Sequence, residues 1–344
     1  PYGGKTLVEA EVFTYDKAFS AEVSHWSDYY DYNNIRAIDR GQGKYPTVSV
    51  TDHEGRTYPA QIVSGKRFPP GFRLKVLFVA DQMPAGGYRS FYVDVSDPGE
   101  RARGISYKDH LFETDHFTIR INPASGRISS LIDRKTGKEY ANGELNTLNV
   151  YNEDKGGAMK AWWFSKLNSE ETMQTDSVRV VELGPVRACV ESHRSWGRSH
   201  LIERCYIYQS YPRIDYHLEV HWLEAGSKTK DSPMLRAHFP LNLKEVRFSN
   251  HVPFAVLDRP VDGQEVPAQR WVDVTDGTNG IALLNKTKYG HSFRNDTLRL
   301  TLLRSSAEPD YYPNLGRMLI DYALFPHTGD WRNGVWKEGD LFNN

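Results

Sequence analysis

Residues 259–330 constrain this chain more than any other stretch. They break into short pieces in which apolar and polar residues alternate, and a side chain that changes face at every residue belongs to a β-strand. Trp271, Asp273 and Thr275 alternate with Val272 and Val274. Asn279-Gly280 then fits a tight hairpin turn, because glycine accepts positive φ and asparagine tolerates it. Residues 281–284 are an apolar run suited to a buried strand. Lys288-Tyr289-Gly290 breaks the run, and Leu298, Leu300 and Leu302 resume the alternation. Nowhere in the chain is a helix longer than a turn or two demanded.

The same pattern reaches back towards the start. Residues 47–50 alternate, residues 52–55 read as a turn, and Pro59 places the next strand at an edge or at its start, since proline cannot donate to a ladder. Phe72, Leu74, Val76 and Phe78 share a face, and the Gly86-Gly87 turn precedes a further strand. Short strands with Gly and Pro turns over about 100 residues indicate a small β-sandwich. Residues 96–104 are polar, contain Asp97-Pro98-Gly99 and mark a boundary. Beyond it Phe117, Ile119 and Ile121 share a face, with turns at Ser125-Gly126 and Thr136-Gly137. Long strands follow, interrupted by a turn or bulge at Gly184-Pro185. The chain reads as all-β.

Composition narrows the function classes. Of 344 residues 39% are hydrophobic, enough for a packed core, and a net charge of −1 argues against non-specific binding to nucleic acid or anionic membranes. No run approaches the roughly 20 apolar residues of a membrane span. Cys189 and Cys205 imply no disulfide framework and read as free buried thiols. The chain opens on Pro1 with no signal-peptide pattern, which reads as a processed or excised piece and leaves its compartment open.

Several groups could carry chemistry. His217, Glu219 and His221 project from one strand face, a zinc-type set, yet successive members would stand about 7 Å apart, long for one ion. They read as a hydrogen-bonded face, not as a metal site. A glycosidase needs two carboxylates, about 5 Å apart for retention. Asp215, Asp273 and Asp310 sit where aspartates serve strand ends and turns. The aromatic segment 25–34, with Trp26, reads as a connection. Trp162 and Trp163 read as opposite faces of one strand, one of them buried, or as a platform for a sugar. No phosphate loop, nucleophile elbow or Cys/His couple is present.

The ordered strings also resemble a known family. Trp271/Asp273, then Asn285/Lys288/Tyr289/Gly290, then Leu300 to Ser305, Pro309/Asp310 and Tyr322/Leu324/Pro326/His327/Gly329 follow the order found in the C-terminal β-region of family 38 α-mannosidases. Gly126, Ile128, Ser130, Leu131 and Asp133 are similar to the strand pair that opens a galactose-mutarotase-like supersandwich. The resemblance covers residues 72–331 well. It implies a small β-sandwich over residues 1–100 and a large antiparallel β-supersandwich over 105–344.

It further implies the non-catalytic C-terminal portion of a retaining α-mannosidase, whose zinc and catalytic residues lie in an N-terminal catalytic domain. That domain and α-mannosides are the implied partners, and no cofactor or catalytic residue is carried over to this chain. Arg259, Arg270, Asp273, Lys288, Tyr289 and His327 are the substrate-contact candidates. The family's acidic residue after Ala161-Trp162 is replaced by Trp163. A stand-alone carbohydrate-binding module is the alternative, as is a sugar epimerase built on His217 and Glu219.

Overall fold

The computed structural model describes residues 4–15, 47–68, 71–96, 104–155, 162–310 and 313–344. The aromatic segment 25–34, the Asp97-Pro98-Gly99 linker and the Phe72 side chain lie outside the described residues. Every strand pairing in the sheets is antiparallel, as the all-β reading requires.

Two three-stranded sheets come from residues 4–96. One runs β1 (Gly4–Tyr15), β5 (Gly71–Met83), β4 (Ala60–Phe68); the other runs β3 (Thr57–Tyr58), β2 (Thr47–Asp52), β6 (Phe91–Ser96). Pro59 separates β3 from β4, both edge strands, where its missing N–H costs no ladder bond. Val50, Tyr58, Val76 and Phe78 fill the space between the sheets. The opposite face of β5 is apolar too: Leu77 packs against Val186, Tyr208 and Tyr211. Gln61 accepts the N–H groups of Val186 and Arg187 at 3.1 and 2.9 Å, which fastens the small sheets to the larger part.

The larger part is a supersandwich. A six-stranded sheet has the order β12 (Leu167–Thr172), β11 (Thr147–Glu153), β17 (Ser232–Pro240), β24 (Thr297–Arg304), β23 (Gly290–Arg294), β20 (Val266–Pro267). A nine-stranded sheet begins β13 (Gln174–Leu183), β14 (Arg187–Trp196), β15 (Ser199–Tyr208), β16 (Ile214–Trp222). It continues β25 (Gly316–Thr328), β22 (Asn279–Asn285), β21 (Trp271–Thr275), β18 (Arg247–Val252), β19 (Ala255–Arg259). A four-stranded sheet, β10 (Ile128–Asp133), β9 (Phe117–Ile121), β8 (Leu111–Glu113), β7 (Ser106–Lys108), completes the large unit. The shared core takes alternate residues from the sheets, among them Leu148, Leu235 and Phe239 on one side and Leu218, Val272 and Val274 on the other. Each such side chain contributes about 1.5–3 kcal/mol on burial.

Three local readings are corrected. The β21–β22 turn is not made by Asn279-Gly280, which already lie in β22. It turns at Gly277, with φ of +89°, and Asp276 Oδ1 accepts the N–H groups of Thr278 and Asn279 at 2.9 and 2.8 Å. An aspartate that closes its own turn outcompetes the Asn-Gly pair. Second, Trp162 and Trp163 lie on no strand, and both are exposed. Third, the chain carries a helix of two and a half turns, α1 (Val335–Asn343). Its Val335, Glu338, Gly339 and Phe342 are buried, a one-sided set laid against Trp271, Ala282, Leu284 and Ala323 of the nine-stranded sheet. A Cβ on Gly339 would stand 2.4 Å from the Trp271 ring, so only glycine lets the helix approach. Among the described residues no helix is long and apolar enough to cross a membrane.

Candidate functional site

Five of the six candidates fall at two ends of one strand, and Asp273 stands between them. Arg270 precedes β21, and Lys288 and Tyr289 follow β22 at that same end. Arg259 closes β19 at the other end, where His327 also lies. Five residues of β21 separate the ends, about 17 Å at the usual strand rise. No single pocket gathers all six.

The end with Arg259 forms an open cleft of about 1130 Å³, walled by Arg247, Arg259, Thr275, Asp276, Asp330 and Arg332 among others. Arg259 reaches it from the edge hairpin β18–β19, and its buried Nε has no partner. The acidic groups here are engaged. Asp276 holds its turn and lies 3.8 Å from Lys138. Burial would raise the Asp330 carboxyl, but hydrogen bonds and the charge of Arg332, 2.7 Å away, win and hold it below the usual range. Asp330 therefore stays ionised and is no proton donor near neutral pH.

Beneath this cleft Asp273 and His327 bond to each other. His327 Nε2 lies 2.7 Å from Asp273 Oδ1, and both side chains are buried. Asp273 stands mid-strand, not at a strand end as its type suggested. Burial raises its pKa against the opposing pull of His327. The pair faces the segment that follows β25, so it shapes the cleft wall without lining the cleft.

At the far end Arg270 pairs with Asp340 of α1. Tyr289 is exposed, and Lys288 is half-buried with its pKa lowered by desolvation. The zinc-type set is dispersed among separate partners. His217 Nδ1 lies 2.6 Å from Asp321, Glu219 binds Arg317 at 2.7 Å, and the His221 ring meets His200. No cluster of three His, Cys, Asp or Glu residues fit for a metal ion occurs among the described residues. Cys189 and Cys205 are free and buried.

One arrangement escaped the sequence reading. The outward positions of the six-stranded sheet are polar yet covered. Asn149 and Tyr151 on β11, Arg236 and His238 on β17 and Ser292 on β23 are all less than a tenth exposed. His238 lies 3.1 Å from the Tyr151 hydroxyl and 3.4 Å from Asn149 Nδ2. Burial, then the charges of Arg299 and Arg236, drives its pKa down to about 3, so the ring is neutral. Arg236 pairs with Glu265, and its guanidinium lies 5.2 Å from the Tyr151 ring and 5.6 Å from Phe164. The signal was available: in "LRAHFP" the residues between Leu235, Ala237 and Phe239 are Arg236 and His238.

Comparison with known proteins follows the same lines. The model of the family described as "Glycosyl hydrolases family 38 C-terminal domain" matches residues 112–312. Alpha-mannosidase G of Dictyostelium discoideum is 27% identical over 254 residues, 69% of this chain and 23% of that protein. Alpha-mannosidase 2C1 of Mus musculus is 36% identical over 129 residues, 35% of this chain and 12% of that protein. The chain thus spans less than a quarter of either relative. A solved structure of a glycosyl hydrolase family 38 protein from Enterococcus faecalis superposes with a TM-score of 0.69 at 15% identity. It covers 99% of this chain and 45% of that one, a likeness of fold.

Proposed function

The chain belongs to the glycosyl hydrolases of family 38, as their C-terminal domain, and from that premise we propose that it is the supporting, non-catalytic β-portion of an α-mannosidase. The intact enzyme cleaves α-mannosides with retention in an N-terminal catalytic domain, which is this chain's partner. Zinc belongs to that domain: His217, Glu219 and His221 are each committed to another side chain and do not fit an ion. The small sandwich over residues 1–100 and the supersandwich over 105–344 act as two domains fastened at Gln61 and Leu77.

Carbohydrate contact falls to the loops. Arg259 lines an open cleft, and Arg270, Lys288 and Tyr289 offer a second set at the opposite end. Asp273 and His327 act from beneath, by holding the wall that carries Asp330. The observation that carries this reading is the engagement of the carboxylates. Asp215 is held by Arg213, Asp273 by His327, Asp276 by its turn and Asp321 by His217. A retaining glycosidase needs one free nucleophile and one acid facing the same bond.

The purified chain, incubated with p-nitrophenyl α-mannoside and zinc, is expected to give no turnover. Turnover abolished by a chelator would overturn the reading. A second reading, a carbohydrate-binding module, is favoured by the exposure of Trp162 and Trp163 at 63% and 68%. Heat on titration with mannobiose distinguishes it from a pure support.

A further inference from the structure

The β18–β19 hairpin, at one edge of the nine-stranded sheet, carries two unfavourable features that nothing in the fold offsets. Val252 pairs with Ala255, so Pro253 and Phe254 alone make the turn. Proline fixes φ near about −65° at the first turn position, and Phe254 takes a φ of +62° at the second. Such a turn places glycine or asparagine second, because a Cβ in the left-handed region crowds the backbone, and a bulky residue there is strained. Phe254 is also fully exposed. It joins none of the hydrophobic clusters of the large unit. Leu257 and Val261 are exposed further along the same hairpin and its exit. A residue that is both strained and bare of contacts points to a role outside the fold.

The position of the hairpin narrows what covers that ring. β19 is the last strand of its sheet, so its outer edge has no ladder partner among the described residues. Near the tip the His251 carbonyl accepts the Gln269 N–H at 2.8 Å, which sets the turn beside Arg270. At the base stands Arg259, on the open cleft. The hairpin therefore joins the two ends at which the loop candidates lie. On the supporting-role reading those loops face the catalytic domain, so the hairpin between them meets the same domain. Ample chain is available for it, since this one spans 23% of alpha-mannosidase G. A free second copy is the weaker occupant. One phenyl ring offers about 150–250 Å² and β19 is five residues long, well short of the roughly 1,000 Å² that a stable dimer buries. A domain in the same polypeptide needs no such area, because the chain itself holds it close.

We infer that Phe254 is an anchor by which this chain docks its N-terminal catalytic domain: the ring enters an apolar pocket of that domain, and the strained turn holds it out to do so. The inference rests on the supporting-role reading and names the contact that performs it. Phe254 touches no substrate and takes no part in the chemistry.

Phe254→Gly, made both in the 344-residue chain and in the intact enzyme, tests it through effects of opposite sign. In the isolated chain the substitution relieves the turn and removes bare apolar surface, and the thermal midpoint is expected to rise by about 2 °C. In the intact enzyme it deletes the anchor, and limited proteolysis between the catalytic domain and this chain is expected to run about tenfold faster, as the undocked population grows. Phe254→Leu keeps an apolar side chain and should change that rate by less than about threefold. The inference is overturned if Phe254→Gly leaves proteolysis of the intact enzyme unchanged. It is also overturned if light scattering finds the isolated chain dimeric and Phe254→Gly makes it monomeric, since the ring then serves a second copy. Failure of the supporting role would instead appear as chelator-sensitive turnover by the isolated chain, so the two readings fail separately.

Discussion

The two large sheets present opposite outer faces. On the nine-stranded sheet, around β21, β22 and β25, the outward residues are Trp271, Ala282, Leu284 and Ala323, and α1 closes over them. On the six-stranded sheet the outward residues are Asn149, Tyr151, Arg236 and His238, with no helix above them among the described residues. Both faces are buried, for different reasons. The first is covered because apolar area is removed from water by a partner within the chain. The second is covered by its own hydrogen bonds and by neighbouring side chains, and it leaves the buried Ser292 Oγ unpartnered. A face sealed by apolar packing draws its stability from area removed from water, whereas a covered polar face depends on each of its hydrogen bonds being made.

Substitutions should separate the two. Trp271→Ala on the sealed face is expected to cost ~3–5 kcal/mol by the cavity it opens under Gly339, read by denaturant unfolding. Glu338→Ala comes next. Glu338 accepts from Tyr211 at 2.8 Å and from Arg213 at 2.6 Å, tying α1 to the sheet. Its loss leaves Arg213 with Asp215 alone and should cost ~2–3 kcal/mol. Unchanged unfolding midpoints would show that the helix does not seal this face.

The six-stranded sheet responds to pH through one histidine on each face, His238 outward and His291 inward. Burial lowers the folded-state pKa of His238 to about 3 and of His291 to about 4. Both titrate near 6.5 when unfolded, so the unfolded chain takes up protons first as the pH falls. The stability they contribute is complete above pH 6.5 and is lost as the pH drops towards 4 and 3. Between pH 7 and pH 5 the loss should be about 1–2 kcal/mol per histidine. His238→Gln should remove its share of that slope, and an unaltered slope would mean that the ring is not held neutral. The smallest effect is expected at Ser292→Ala, which deletes a buried hydroxyl left without a partner and should raise stability by about 1 kcal/mol. A loss of stability instead would reveal a partner for that oxygen within the fold.

Much of the fold was legible because its signal is local. Alternation marked β9, β21 and β24, and the run at 281–284 proved to be buried on both sides. The failures were contests between local signals. Asp276-Gly277 and Asn279-Gly280 are both plausible turns three residues apart, and the pairing of Thr275 with Gly280 decided between them. Helix α1 is too short to announce itself, and its interior Gly339 argues against a helix until the Trp271 ring is seen beside it. Asp273 carried the same ambiguity: an aspartate near a turn reads as serving a strand end, yet it stands mid-strand and pairs with His327, 54 residues away in the chain.

Residue order alone determined the strand-rich class and the family, because both are written in periodicity and in strings of neighbouring residues. What covers each sheet face was decided by tertiary structure. A strand records which side chains point outward, but it cannot record whether a helix, a distant histidine or water meets them, since burial and hydrogen-bond satisfaction belong to groups brought together across the whole chain.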